Sequence, residues 1–244
     1  MKQPFLAWPG WPFLRYAWLL SLVNGLWFTL VYGGCDWLTA RRTTRVQIHL
    51  PFELAIPLVP SLVLAYMSIY LLFLAGPFIV RERREFTALI TSLALSTLVG
   101  GVGFLLFPSQ AAFAPPGDLG PWAGLFHFAD DLNLTYNMVP SLHVALSVCC
   151  VAAFARRASP FLRGLLWAWA ALIALSTVLT HQHHLLDAIT GWGLGWAAHR
   201  LLATSPPSTS PGGPPPPSSR APASRDPAAS APPQNGPAHS GPRY

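Results

Sequence analysis

Runs of about 20 apolar residues, bounded by charge or by Pro and Gly, recur along this chain and constrain its fold more than any other feature. A bilayer core is about 30 Å thick, and a helix of about 20 residues crosses it with every backbone donor and acceptor satisfied internally. Six such windows run over 16–33, 55–79, 86–107, 139–155, 161–180 and 185–203. The fourth is slightly short, and the second is interrupted by Pro57, Pro60 and the Gly76-Pro77 pair. The expected fold class is therefore all-α, an integral membrane six-helix bundle over residues 1–203. Composition points the same way, with 52% hydrophobic and 10% charged residues and a mean hydropathy of +0.41 over 244 residues. The first window follows Lys2 and Arg15 as a signal sequence would. It is long for a signal core, and "YGGCDWL" after it lacks a small-x-small cleavage pattern, so it reads as a retained helix.

Residues 204–244 form a separate Pro/Ser/Ala-rich segment that holds thirteen of the 26 prolines and almost no large apolar residue. Such a segment cannot bury enough surface to fold and is expected to be a disordered tail. Charge sets the orientation of the rest. With a cytoplasmic N-terminus, the inner segments and tail carry twelve basic residues against three outside, Arg41, Arg42 and Arg45. The positive-inside rule favours that arrangement, with both termini cytoplasmic in a multi-pass protein of the cell membrane. The net charge of +6 then reflects topology and gives no argument for a nucleic-acid partner.

This topology brings two polar stretches to the outer face. "NMVPSLHVALSV" enters the fourth helix from the outer loop, and "THQHHLLD" forms the turn between the fifth and sixth. His183 and Asp187 are four residues apart, so on a helix they share a face with Cβ atoms about 6 Å apart. A carboxylate there takes the protonated nitrogen of the imidazole, fixes its tautomer and leaves the other nitrogen free as base or nucleophile. Ionisable groups at membrane depth are costly and usually functional. Other polar residues read as structural: His184 facing away from His183, and Asp130, Asp131, Asn133 and Asn137 in a solvated loop. Cys35, Cys149 and Cys150 suggest neither a disulfide framework nor a thiolate metal site.

"PSLH" at 140–143 resembles the Pro-Ser-x-His motif of the type 2 phosphatidic acid phosphatase superfamily, and "STVLTHQHHLLDAITG" at 176–191 resembles its last motif, in which His, Asp and Gly follow one another at four-residue steps. The form "HQHHLLD" is particularly similar to the branch of inositol phosphorylceramide synthases and sphingomyelin synthases. The resemblance covers roughly residues 50–203. It implies a lipid phosphatase or phosphotransferase acting on a phosphate mono- or diester lipid in the bilayer, with no metal or other cofactor. His183 would be the nucleophile that forms a phosphohistidine, Asp187 its orienting partner and His143 the acid that protonates the leaving alkoxide.

The chain departs from that family's pattern at its cations. "FLLFPSQAAFAPPGD" at 104–118 lacks the lysine and arginine that usually precede Pro-Ser-x-His, and the arginine of the last motif is Thr177 here. Such cations neutralise the equatorial oxygens of a phosphoryl transition state. "TARRTTRVQIHLPFEL" at 39–54 places Arg41, Arg42 and Arg45 on the same expected face, as candidate phosphate-binding residues. Ser141 and His181 are weaker candidates, the first also a natural helix cap. Two other classes remain open at this level: a zinc-dependent hydrolase using His143, His181, His183 and Asp187, and a catalytically silent lipid-binding protein on the same scaffold.

Overall fold

A computed structural model of the chain describes residues 4–203. Residues 204–244, the tail expected to be disordered, lie outside the described residues, as do 1–3. Eight α-helices, three short 3-10 helices and no strand occur among the described residues. They are α1 (Trp11–Ala40), α2 (Val63–Met67), α3 (Ile69–Ile79), α4 (Arg83–Leu106), α5 (Ala123–Leu132), α6 (Leu142–Ala155), α7 (Pro160–Leu179) and α8 (Leu185–Leu202). The all-helical class expected from the apolar runs is what the chain adopts.

Local chemistry sets most boundaries. Pro12 stands in the first turn of α1 and Pro160 in that of α7, where a missing N–H costs nothing. Ser141 and Ser159 cap α6 and α7, each side chain accepting from a backbone N–H three residues on, at 3.4 Å. The second window begins later than its hydropathy suggests. Pro57 and Pro60 leave residues 56–59 without helix, Pro60–Leu62 forms a 3-10 turn leading into α2, and the helix is interrupted again at Ser68, which separates α2 from α3. The first window, by contrast, continues as helix through "YGGCDWLTA" to Ala40. The loop 108–138 contains α5, an amphipathic helix packed on α2 through Phe126, Ala129, Val63 and Tyr66.

Four helical stretches have the length and hydropathy to cross a membrane: Trp11–Ala40, Pro60–Ile79, Arg83–Leu106 and Pro160–Leu179. Leucines such as Leu22, Leu26, Leu74, Leu106 and Leu175 stand exposed on them, as lipid-facing side chains do. The protein is a multi-pass membrane protein. α6 has only 14 residues, a rise of about 21 Å. It is the central helix, packed by α3, α4, α7 and α8, and twelve of its residues are buried, so its length is not matched to lipid. α8 lies along it. Gly191 and Gly195 face the carbonyls of Ser141 and Ala145, and a Cβ at either glycine would collide with that backbone.

The helices alternate in direction, so one end of the bundle gathers the N-terminal segment and the turns near 81 and 157. There Arg157 pairs with Glu82 at 3.1 Å and with Glu85, and Ala7 N donates to Phe78 O at 3.2 Å. The opposite end gathers residues 41–60, 107–141 and 180–184, joined by Val46 N to Pro108 O and Val59 N to Leu179 O, both 2.8 Å.

Candidate functional site

The turn between α7 and α8 is where the histidines converge. His181 ends α7 in the left-handed region, with φ 58°, and Gln182 N and His183 N then both donate to Thr177 O, at 3.0 and 2.9 Å. Asp187 sits in the first turn of α8, fully buried, and reaches back: its Oδ2 accepts from His184 N at 2.9 Å and from His183 Nδ1 at 3.3 Å. The carboxylate thus serves helix start and imidazole together. With Nδ1 engaged, Nε2 is the nitrogen of His183 left for chemistry. Asp187 O also accepts from Ser141 N at 2.9 Å, which ties the start of α6 to the start of α8.

His143 lies in the first turn of α6. Its Nε2 is 2.7 Å from the Tyr66 carbonyl, and its ring stacks on the Tyr66 ring with centroids 3.8 Å apart. A carbonyl only accepts, so Nε2 carries hydrogen and Nδ1 is the second nitrogen.

Two cavities meet at His183. The larger, about 620 Å³, runs between α1, α3, α4 and α6 and is walled mostly by apolar side chains such as Phe28, Ile69, Leu93 and Leu146; both His143 and His183 line it. The smaller, about 370 Å³, lies beneath residues 110–116 and is lined by polar groups including Asp130, Gln182 and Thr180, again with His183. Tyr32, Asn133, Leu134 and Asn137 also belong to both walls. No Lys or Arg lines either cavity.

A second carboxylate–imidazole pair stands beside the first. Glu53, 1% exposed, accepts at Oε1 from Leu50 N at 2.8 Å and at Oε2 from Leu185 N at 2.8 Å and His184 Nδ1 at 3.2 Å. Nε2 of His184 accepts from Ala112 N at 3.1 Å, so this imidazole is the neutral Nδ1–H tautomer. Electrostatics agree. Burial lowers the His184 pKa below its ordinary value, only partly offset by Asp187 and Glu53. Burial would raise Glu53, but hydrogen bonds from Leu50, Leu185 and His184 outweigh it and hold the carboxyl below its usual range. The rings of His49, His184, Phe113 and His181 stack in series, at 4.9, 4.5 and 4.0 Å.

Of the residues singled out from sequence, the structure brings His143, His183 and Asp187 to one place. Ser141 adjoins them but is fully buried as the cap of α6. His181 lines the smaller cavity, though its Nε2 is taken by Ile56 O at 2.9 Å. Arg41, Arg42 and Arg45 occupy the same end of the bundle, the first two exposed and Arg45 half-buried, and line neither cavity: Arg41 lies over the Trp37 ring and Arg45 over the Tyr136 ring, 3.2 and 4.5 Å from the centroids. Among the described residues, no three His, Cys, Asp or Glu side chains are gathered as ligands for a metal. Asn133 and Asn137, assigned to a solvated loop from sequence, are walls of both cavities, and Glu53 and His184 were not foreseen. An acidic residue inside the apolar stretch "HLPFEL" was the available signal for Glu53.

A search of curated proteins finds no relative of this chain. The sequence profile described as the PAP2 superfamily matches residues 52–201, a span that contains Glu53, His143, His183, His184 and Asp187. That match covers more than half of the 244 residues, and the chain belongs to the PAP2 superfamily.

Proposed function

We propose that this protein transfers or hydrolyses the phosphoryl group of a membrane lipid through a phosphohistidine on His183, at the outer face of the cell membrane. Its superfamily makes it a phosphatase-type enzyme acting on lipid in a bilayer. The observation that carries the finer reading is the position of His183, held by Asp187 at the junction of an apolar and a polar cavity. A lipid can lay its chains in the first and bring its phosphate to the imidazole.

Nε2 of His183 attacks phosphorus, the bond from phosphorus to the lipid oxygen breaks, and the leaving oxygen takes the Nδ1 proton of His143, which enters the step doubly protonated and leaves it neutral with Nε2–H still on Tyr66 O. Imidazole is both a good nucleophile and a good leaving group, so one hard displacement becomes two easier ones. Proton transfer to the leaving group is worth about 10² to 10⁴ in rate. Water or an alcohol then attacks the phosphohistidine, gives its proton back to His143 and frees His183.

Walls without Lys or Arg favour a phosphodiester, with one negative charge, over a dianionic monoester. This supports phosphotransfer of the kind suggested by "HQHHLLD". Arg41, Arg42 and Arg45, at the same end, would draw anionic head groups toward the site through the field they create. The outer-face assignment rests on the basic residues gathered at the other end, nine outside the tail against these three.

The test is rapid quenching of the purified protein with radiolabelled phosphodiester and phosphomonoester lipids. An acid-labile, base-stable phosphoryl adduct mapped to residue 183, and absent in His183→Ala, is the expected result. An active preparation that yields no adduct at any quench time would overturn the proposal.

A further inference from the structure

Two of the three imidazoles at the centre of the site have a carboxylate, and the third has none. Asp187 serves His183 and Glu53 serves His184. His143 is the one that carries two protons when it acts as the acid, yet no ion pair joins it to an acidic residue. No carboxylate lines the larger cavity, whose titratable walls besides His143 are Tyr32, Tyr66, Tyr70, Cys150 and His183. Asp187, on α8, is engaged by His183 Nδ1 and His184 N. A cation taken out of water without a counter-charge is costly. What His143 has instead is Tyr66. Its ring makes one hydrogen bond, from Nε2 to the Tyr66 carbonyl at 2.7 Å, and lies nearly parallel to the Tyr66 ring, at 14° with centroids 3.8 Å apart.

Both contacts come from the break in the second membrane stretch. α2 ends at Met67, and the last carbonyls of a helix look outside it for donors. Ser68 holds the interruption, its Oγ donating to Ala65 O at 2.6 Å and accepting from Trp169 Nε1 at 2.8 Å. The far end of the Tyr66 side chain is fixed as well. Its hydroxyl donates to Asn133 Oδ1 at 2.8 Å, and Asn133 Nδ2 donates to Gln182 Oε1 at 2.8 Å, beside His183.

An imidazolium gains more from these partners than a neutral imidazole does, since a charged donor makes the stronger hydrogen bond and the face of an aromatic ring attracts a cation. We propose that Tyr66 is the positioning residue of the general acid, its carbonyl and ring together standing in for a carboxylate and holding His143 doubly protonated with Nδ1–H left to give. The use of that proton rests on the phosphohistidine reading, but the hold of Tyr66 on it does not.

Fluorination weakens the negative face of an aromatic ring and leaves the ring and the backbone carbonyl in place. The full chain carrying Tyr66→Phe, in nanodiscs, is therefore compared with the same chain bearing difluoro and pentafluoro forms of that phenylalanine. Protonation of His143 is followed by NMR of isotope-labelled histidine, its signal identified by its loss in His143→Ala. The pentafluoro ring should lower the pH at which His143 takes its second proton by about one unit, a tenfold change in the equilibrium, with the difluoro ring between. At neutral pH, kcat on lipid should fall about tenfold with KM nearly unchanged, and the rate on a nitrophenyl phosphodiester, whose leaving group needs no proton, should fall far less. If Tyr66→Phe does not fold, fluorotyrosines in place of Tyr66 carry the same series. A titration indifferent to fluorination, or equal losses on the two substrates, would overturn the inference. A titration that follows fluorination in a protein that forms no adduct would leave the hold of Tyr66 standing and reject the phosphohistidine.

Discussion

Glu53→Gln tests whether the second carboxylate–imidazole pair holds the first in place. The carboxylate accepts three hydrogen bonds with two oxygens, from Leu50 N, Leu185 N and His184 Nδ1. Glutamine has one carbonyl oxygen and one NH₂. In its better placement the oxygen keeps Leu185 and His184, while the NH₂ is turned against the Leu50 N–H. One buried donor left unmet costs about 1–3 kcal/mol, so a loss of about 2 kcal/mol is expected. For a chain of this size that corresponds to a fall in Tm of roughly 4–8 °C, measurable by fluorescence-detected unfolding in detergent. The pH dependence is the sharper readout. Both folded-state values are depressed, His184 from 6.5 and Glu53 from 4.5, so the unfolded chain binds these protons more readily. Their stabilisation is complete above pH 6.5 and is lost on acidification, first through His184 and then, below 4.5, through Glu53. Glu53→Gln should remove the lower limb. Turnover should fall as well, because the first turn of α8 carries Asp187. A variant within about 1 °C of wild type across this range, with unchanged turnover, would refute the reasoning.

Two further outcomes concern the reacting groups and the approach to them. His143→Ala should lose most activity toward lipids, yet a nitrophenyl phosphodiester, whose leaving group needs no proton, should recover far more of its rate; equal losses on both would remove His143 from the acid role. Glutamine at Arg41, Arg42 and Arg45 together should raise KM for anionic lipid several-fold at low salt and little at high salt, with kcat nearly unchanged; a salt-independent fall in kcat would instead place an arginine at the phosphate.

The helices were legible because lipid and core both demand long apolar runs, and a run reads the same whichever of them it meets. For the same reason the sequence did not show that α6 is the central helix, nor that α1 continues to Ala40. His183 and Asp187 were readable because both lie on one local element, four residues apart. Glu53 and His184 are 131 positions apart, and no periodicity links an acidic residue in one loop to an imidazole in another. Asn133 and Asn137 resemble ordinary loop residues in sequence; only the folding of α5 and the turn after it onto α2 makes them walls.

The contact of α8 with α6 through Gly191 and Gly195 leaves no room there for any side chain beyond hydrogen. His143 and Asp187 ride on those two helices, so their spacing is set by backbone against backbone. Selection for a new substrate can find little purchase on that seam. Variation is free instead on α1, which walls the larger cavity, and on residues 110–116, which roof the smaller one. Descendants of this scaffold can exchange the lining of either cavity there while the spacing of His143 and Asp187 is inherited unchanged.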